Sequence, residues 1–107
     1  MGSTSTKLNP VVEEFVKNSL NQQRVVIFSK SYCPYCKIAK DQFKKLNVDY
    51  LAIEIENRPD CNEIQSVLGS ITGAKTVPRV FIDGRFIGGG DQVKKLYETG
   101  ELAKLLN

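Results

Sequence analysis

Arg24-Val25-Val26-Ile27-Phe28-Ser29-Lys30-Ser31-Tyr32-Cys33-Pro34-Tyr35-Cys36 carries a strand, a turn and the opening of a helix in thirteen residues. Arg24 to Ser29 reads as a buried strand, rich in β-branched and aromatic side chains. From Lys37 to Leu46 the apolar residues Ile38, Ala39, Phe43 and Leu46 recur at helical intervals. The two thiols, Cys33 and Cys36, therefore stand at the amino end of a helix. Unpaired amides and the macrodipole favour negative charge there. A thiolate is the reactive form of cysteine, and such a position is expected to lower its pKa. Pro34 suits the first helical turn, having no N–H to lose.

Outward from this centre the chain alternates. Asn9 caps a helix opened by Pro10, with Val12, Phe15, Val16 and Leu20 as its apolar stripe. Tyr50 to Ile55 reads as a second strand. Asp60 with Glu63 has the pattern of a capping box, before a helix with Ile64, Val67, Leu68 and Ile71 on one face. Pro78 precedes a strand, Arg79 to Ile82; Asp83-Gly84 signals a hairpin, and Arg85 to Ile87 returns. After Gly88-Gly89-Gly90, Asp91 is positioned to cap a helix from Gln92 to Thr99, and Leu102, Leu105 and Leu106 add a last apolar turn. The order α-β-α-β-α-β-β-α predicts an α/β fold: a mixed sheet with helices on both faces.

At 107 residues, 41% hydrophobic, the chain reads as a single domain over 1–107. Residues 1–8 read as a flexible N-terminal tail. The net charge of +3 is only mildly basic and shows no Lys/Arg stripe, so no nucleic-acid partner is expected. Three cysteines, an odd count, argue against a secreted disulfide framework and for a reducing, cytoplasmic setting. No run has the length of a membrane span, and no stable membrane association is expected. Met1-Gly2 with Thr6 fits the loose N-myristoylation pattern. A plain Ser/Thr tail is the preferred reading, since one acyl chain anchors only weakly.

Three readings compete for Cys33 and Cys36. A pair of buried structural thiols sits poorly with the turn residues around them. A closed zinc site lacks ligands, because the chain has no histidine and only one other cysteine, Cys61. A redox-active dithiol fits the Cys-x-x-Cys spacing at a strand–helix junction. Cys33, nearer the helix end, is then the exposed nucleophile, and Cys36 the more buried resolving thiol. Cys61, beside Asp60 and Glu63, reads as an ordinary unpaired thiol. Thr76-Val77-Pro78 adds a second element: a cis proline would present the Val77 backbone to an extended peptide. Gly88-Gly89-Gly90-Asp91 adds a third, a helix amino terminus for a carboxylate with Asp91 for an amine. Together they ask for a ligand with separated negative charges, an amine and a sulfur.

Cys33-Pro34-Tyr35-Cys36, Thr76-Val77-Pro78 and Ile87-Gly88-Gly89, in this order and spacing, resemble the dithiol class of glutaredoxins from about Val25 onward. The resemblance implies a thioredoxin-like fold with a central four-stranded mixed sheet and Pro78 in cis. It implies glutathione as co-substrate, with no metal required. Catalysis would rest on Cys33 and Cys36. Lys30, Gln65 and Lys75 would hold the glycine carboxylate of glutathione, and Tyr35 would pack against the tripeptide. Thr76, Val77 and Pro78 would line it, with Val77 bonding its cysteine through the backbone, while Gly89, Gly90 and Asp91 would take the γ-glutamyl end. Implied partners are glutathionylated or disulfide-bonded proteins and, through glutathione disulfide, glutathione reductase. The run Gly90-Asp91-Gln92 departs from many relatives, which carry Cys or Ser first and an acid last. Two alternatives stand beside this: a thioredoxin-like reductase served by a flavoenzyme, and a dimeric glutathione-ligated [2Fe–2S] carrier.

Overall fold

The computed structural model describes residues 8–107. The tail expectation and the Met1-Gly2 pattern fall outside these residues, except at Leu8, which packs against the core. Helix α1 spans Pro10–Ser19, strand β1 Val25–Ser29, α2 Pro34–Lys45, β2 Leu51–Glu54 and α3 Cys61–Thr72. Strands β3 (Arg79–Ile82) and β4 (Arg85–Gly88) form a hairpin, followed by α4 (Gly90–Glu98) and α5 (Glu101–Leu106). Among the described residues no helix is long and apolar enough to cross a membrane.

The strands lie in the order β2-β1-β3-β4, β1 parallel to β2 and antiparallel to β3. All five residues of β1 are buried, because the strand is covered on both faces. Val26 and Phe28 enter one core with Val12 and Val16 of α1 and Ile64, Val67 and Leu68 of α3. Val25 and Ile27 enter the other, with Ala39 and Phe43 of α2, Val93 of α4 and Leu102 of α5. The alternation of a strand thus sorts one apolar run between two helical layers. This is the thioredoxin-like α/β arrangement.

The local signals held at three places. Asn9 Oδ1 accepts the N–H of Val11 at 2.9 Å, with Pro10 at the first helical position. Asp83 and Gly84 both have positive φ, +53° and +79°, as the tight hairpin turn requires. The Val77–Pro78 peptide is cis.

Three readings need correction. Asp60 precedes α3 but makes no capping bond; its carboxylate is taken by Arg58, at 2.9 and 3.2 Å, while Glu63 accepts from Asn9 Nδ2 at 3.0 Å. Ile71 is 48% exposed, one turn beyond the last α3 residue seated on the core. Asp91 does not cap α4. That helix starts at Gly90 with Gly89 as its cap residue, and the Gln92 side chain accepts the Gly89 N–H at 2.5 Å.

Candidate active site

Strand β1 ends at Ser29, and the chain turns at once: the Cys33 N–H donates to Lys30 O at 3.0 Å. Cys33 is left in an extended conformation (φ −85°, ψ 119°) as the cap residue of α2, with Pro34 behind it. Its sulfur accepts the Cys36 N–H at 3.3 Å, occupying one of the amides that a helix start leaves unpaired. The same sulfur lies 3.9 Å from Val77 O, so the cis-proline loop closes over Cys33 from the far side. The first thiol is therefore half-exposed and set where an anion is welcome.

Cys36 is fully buried, on the side of α2 that meets the sheet. Burial pushes its thiol up to about 11, helped by the hydrogen bond with Cys33. The Lys30 backbone and the Ser29 hydroxyl act the other way without offsetting it. Two thiols one helical turn apart thus differ in access, and burial holds the proton on the second.

The sequence-assigned residues divide into those that contacts join to Cys33 and those that stand at the rim. Val77 is joined directly. Gly89 sits against Pro78: a Cβ on it would lie 3.5 Å from Pro78 O. A Cβ on Gly90 would lie 2.7 Å from Tyr35 O and 3.1 Å from Tyr35 Cβ, so the first residue of α4 meets the first turn of α2 where only glycine fits. Tyr35 itself is 54% exposed. Gln65 Nε2 donates to Lys75 O at 2.9 Å, and the Lys75 side chain crosses Gly69. Gln65 thus braces the Lys75-Thr76-Val77 loop and keeps a second amide hydrogen free for a ligand. Lys30, Lys75 and Asp91 enter no ion pair among the described residues. Among the described residues no hydrogen bond or ion pair joins the Lys30 side chain to Gln65 or Lys75.

Three contributors escaped the sequence reading. Glu56 accepts both the N–H of Ser31, at 3.2 Å, and its hydroxyl. Arg79 lies over the Phe86 ring, 4.9 Å from its centroid, and donates through Nε to Pro78 O at 3.0 Å. Desolvation lowers its pKa. Gln92, read as a missing charge, anchors Gly89 instead. Only Arg79 had a usable signal, as a charged residue beginning an otherwise apolar strand.

A family model described as Glutaredoxin matches residues 25–87. Glutaredoxin-C4 of Arabidopsis thaliana is 50% identical over 93 residues, 87% of this chain and 69% of the relative. Oxidized glutaredoxin 2 from Chlamydomonas reinhardtii superposes with a TM-score of 0.86 at 40% identity, covering 90% of this chain and 91% of that one. A buckwheat glutaredoxin–glutathione complex gives 0.85 at 38% identity, covering 90% and 87%.

Proposed function

The chain belongs to the glutaredoxin family, whose fold and thiol pair make it a thiol–disulfide oxidoreductase, and we propose that glutathione is its reductant. The proposed substrates are protein–glutathione mixed disulfides and protein disulfides. The observation that carries the reading is the Cys33 sulfur at the helix mouth, accepting the Cys36 N–H beside Val77 O. The relative solved as a complex with glutathione supports the choice of thiol.

In the proposed reaction the Cys33 thiolate attacks the glutathione sulfur of a protein–glutathione disulfide. The Cys33–glutathione bond forms, the old S–S bond breaks, and the protein thiolate leaves and takes a proton. A second glutathione thiolate attacks the bound glutathione sulfur, giving glutathione disulfide and restoring the Cys33 thiolate. With a protein disulfide, Cys33 forms a mixed disulfide with the protein. Cys36 then loses its proton and attacks Cys33 Sγ, releasing the protein dithiol. Two glutathiones reduce the Cys33–Cys36 bond and leave as glutathione disulfide.

The site residues keep the roles implied above. Lys30, Gln65 and Lys75 receive the glycine carboxylate; Tyr35, Thr76, Val77 and Pro78 line the tripeptide. Gly89, Gly90 and Asp91 receive the γ-glutamyl group, whose carboxylate the first amides of α4 suit. A cytoplasmic location, with its reducing glutathione pool, suits this chemistry. The [2Fe–2S] carrier is not favoured: a cluster held by Cys33 and glutathione would leave the buried Cys36 without a part, whereas reduction of protein disulfides uses it.

The test is glutathione-dependent reduction of a small glutathione mixed disulfide, coupled to glutathione reductase. Cys33→Ser is expected to abolish turnover and Cys36→Ser to retain it. An inactive wild type, or an active Cys33→Ser, would overturn the reading.

A further inference from the structure

Glu56 has no place in the reaction above, yet its carboxylate reaches the turn that carries the nucleophile. The parallel register sets Ser29 of β1 beside Glu54 of β2, and the Ile55 N–H extends the ladder onto Ser29 O at 2.9 Å. Both chains then leave the sheet, and Glu56 arrives beside Ser31. One carboxylate oxygen accepts the Ser31 N–H at 3.2 Å and the other accepts its hydroxyl. Ser31 lies inside the turn closed by Cys33 N–H on Lys30 O. That turn sets the backbone of Cys33 and hence the aim of its sulfur at the Cys36 N–H. The Ser31 hydroxyl, first among the causes, lowers the pKa of Glu56, with Lys40 adding a smaller favourable charge. The carboxylate is therefore ionised, the stronger acceptor form, at neutral pH.

We propose that Glu56 is a positioning residue for Cys33: by gripping both donors of Ser31 it fixes the Lys30–Cys33 turn and so holds the sulfur at the mouth of α2. The proposal rests on Cys33 being the nucleophile. The competing view is that Glu56 acts only through its charge, which would oppose a nearby thiolate. The two views predict opposite signs. Loss of the grip slows Cys33, whereas loss of a repelling charge quickens it.

Substitution separates them. Glu56→Ala removes grip and charge together. Glu56→Gln removes the charge but keeps two bonds, its Oε1 on the Ser31 N–H and its Nε2 donating to the reversed Ser31 hydroxyl. The readout is the rate of Cys33 alkylation by iodoacetamide, with loss of iodide, in the reduced full chain, located by peptide mass spectrometry. Glutathione is absent from this assay. Glu56→Ala is expected to slow alkylation about three- to tenfold, the scale of one net hydrogen bond. Glu56→Gln is expected to stay within about twofold of wild type. Ser31→Ala is expected to fall between, and Ser31→Ala with Glu56→Ala to match Glu56→Ala alone. Thermal unfolding checks that each variant is folded.

The proposal is overturned if Glu56→Ala matches wild type, if both Glu56 variants alkylate faster, or if Glu56→Gln is as slow as Glu56→Ala. Failure of the underlying reading looks different: wild-type Cys33 would then react no faster than a free model thiol.

Discussion

Alkaline pH should destabilise the reduced protein through Cys36, and the structure gives both sign and size. An ordinary cysteine stands at 9.0, whereas burial raises Cys36 in the fold to about 11. Below pH 9 the folded and unfolded chains both keep this proton, so the contribution is fully present. Between the two values the unfolded chain releases the proton and the fold withholds it, and stability falls until pH passes the folded value. At about 1.4 kcal/mol per pH unit, two units amount to at most about 3 kcal/mol. The assay is urea denaturation from pH 7.5 to 11, with a phosphine reductant present, of wild type and Cys36→Ser. Serine does not titrate in this range, so subtraction removes the tyrosines, the lysines and the other two thiols. The wild-type midpoint should fall about 1–2 M further than that of the variant, for an ordinary urea dependence. Cys33→Ala should shrink the difference without abolishing it, because burial ranks above the Cys33 hydrogen bond. Parallel curves for wild type and Cys36→Ser would refute the argument.

Three further substitutions probe the start of α4. Gly90→Ala places a methyl 2.7 Å from Tyr35 O, so backbone must move; it should cost about 1–3 kcal/mol and lower turnover, read by thermal unfolding and the coupled assay. An unchanged Tm would show that the loop yields freely. Gln92→Ala loses the acceptor on the Gly89 N–H and should cost about 1 kcal/mol. Gln92→Glu keeps that acceptor and adds charge at a helix start, so it should be at least as stable as wild type by thermal unfolding.

What the sequence disclosed was local or periodic. Val25 to Phe28 announced a strand covered on both faces because no polar residue interrupts it. Asn9-Pro10 and Asp83-Gly84 announced a helix start and a turn because each acts on its own backbone. The thiol pair was legible for the same reason: a cap residue and an amide three positions on are neighbours in any helix. The failures share a cause as well. Asp60 and Glu63 match a capping box, but Arg58 and Asn9 offer each carboxylate a partner that the pattern cannot see. Gln92 was weighed as an absent charge because its hydrogen bond exists only once Gly89 is placed. Glu56 and Ser31 meet across 25 residues, through a strand register that no spacing rule encodes.

The difference between the two thiols follows from where a helix start meets a sheet. Cys33 is the last residue before α2 and looks out of the protein; Cys36, one turn on, lies on the face that packs inward. The exposed sulfur accepts an amide N–H, whereas burial, and after it the neighbouring sulfur, holds the proton on the other. The first is open to a substrate disulfide. The second must give up a proton that burial holds before it can close the Cys33–Cys36 bond. In the presence of abundant glutathione thiolate, the external thiol should therefore win the contest for the Cys33 mixed disulfide. Cys36→Ser should then keep turnover of a glutathione mixed disulfide within about twofold of wild type, while reduction of a protein disulfide falls by an order of magnitude or more. Equal losses on both substrates would mean that Cys36 serves the first step, through the aim of Cys33, and not the second.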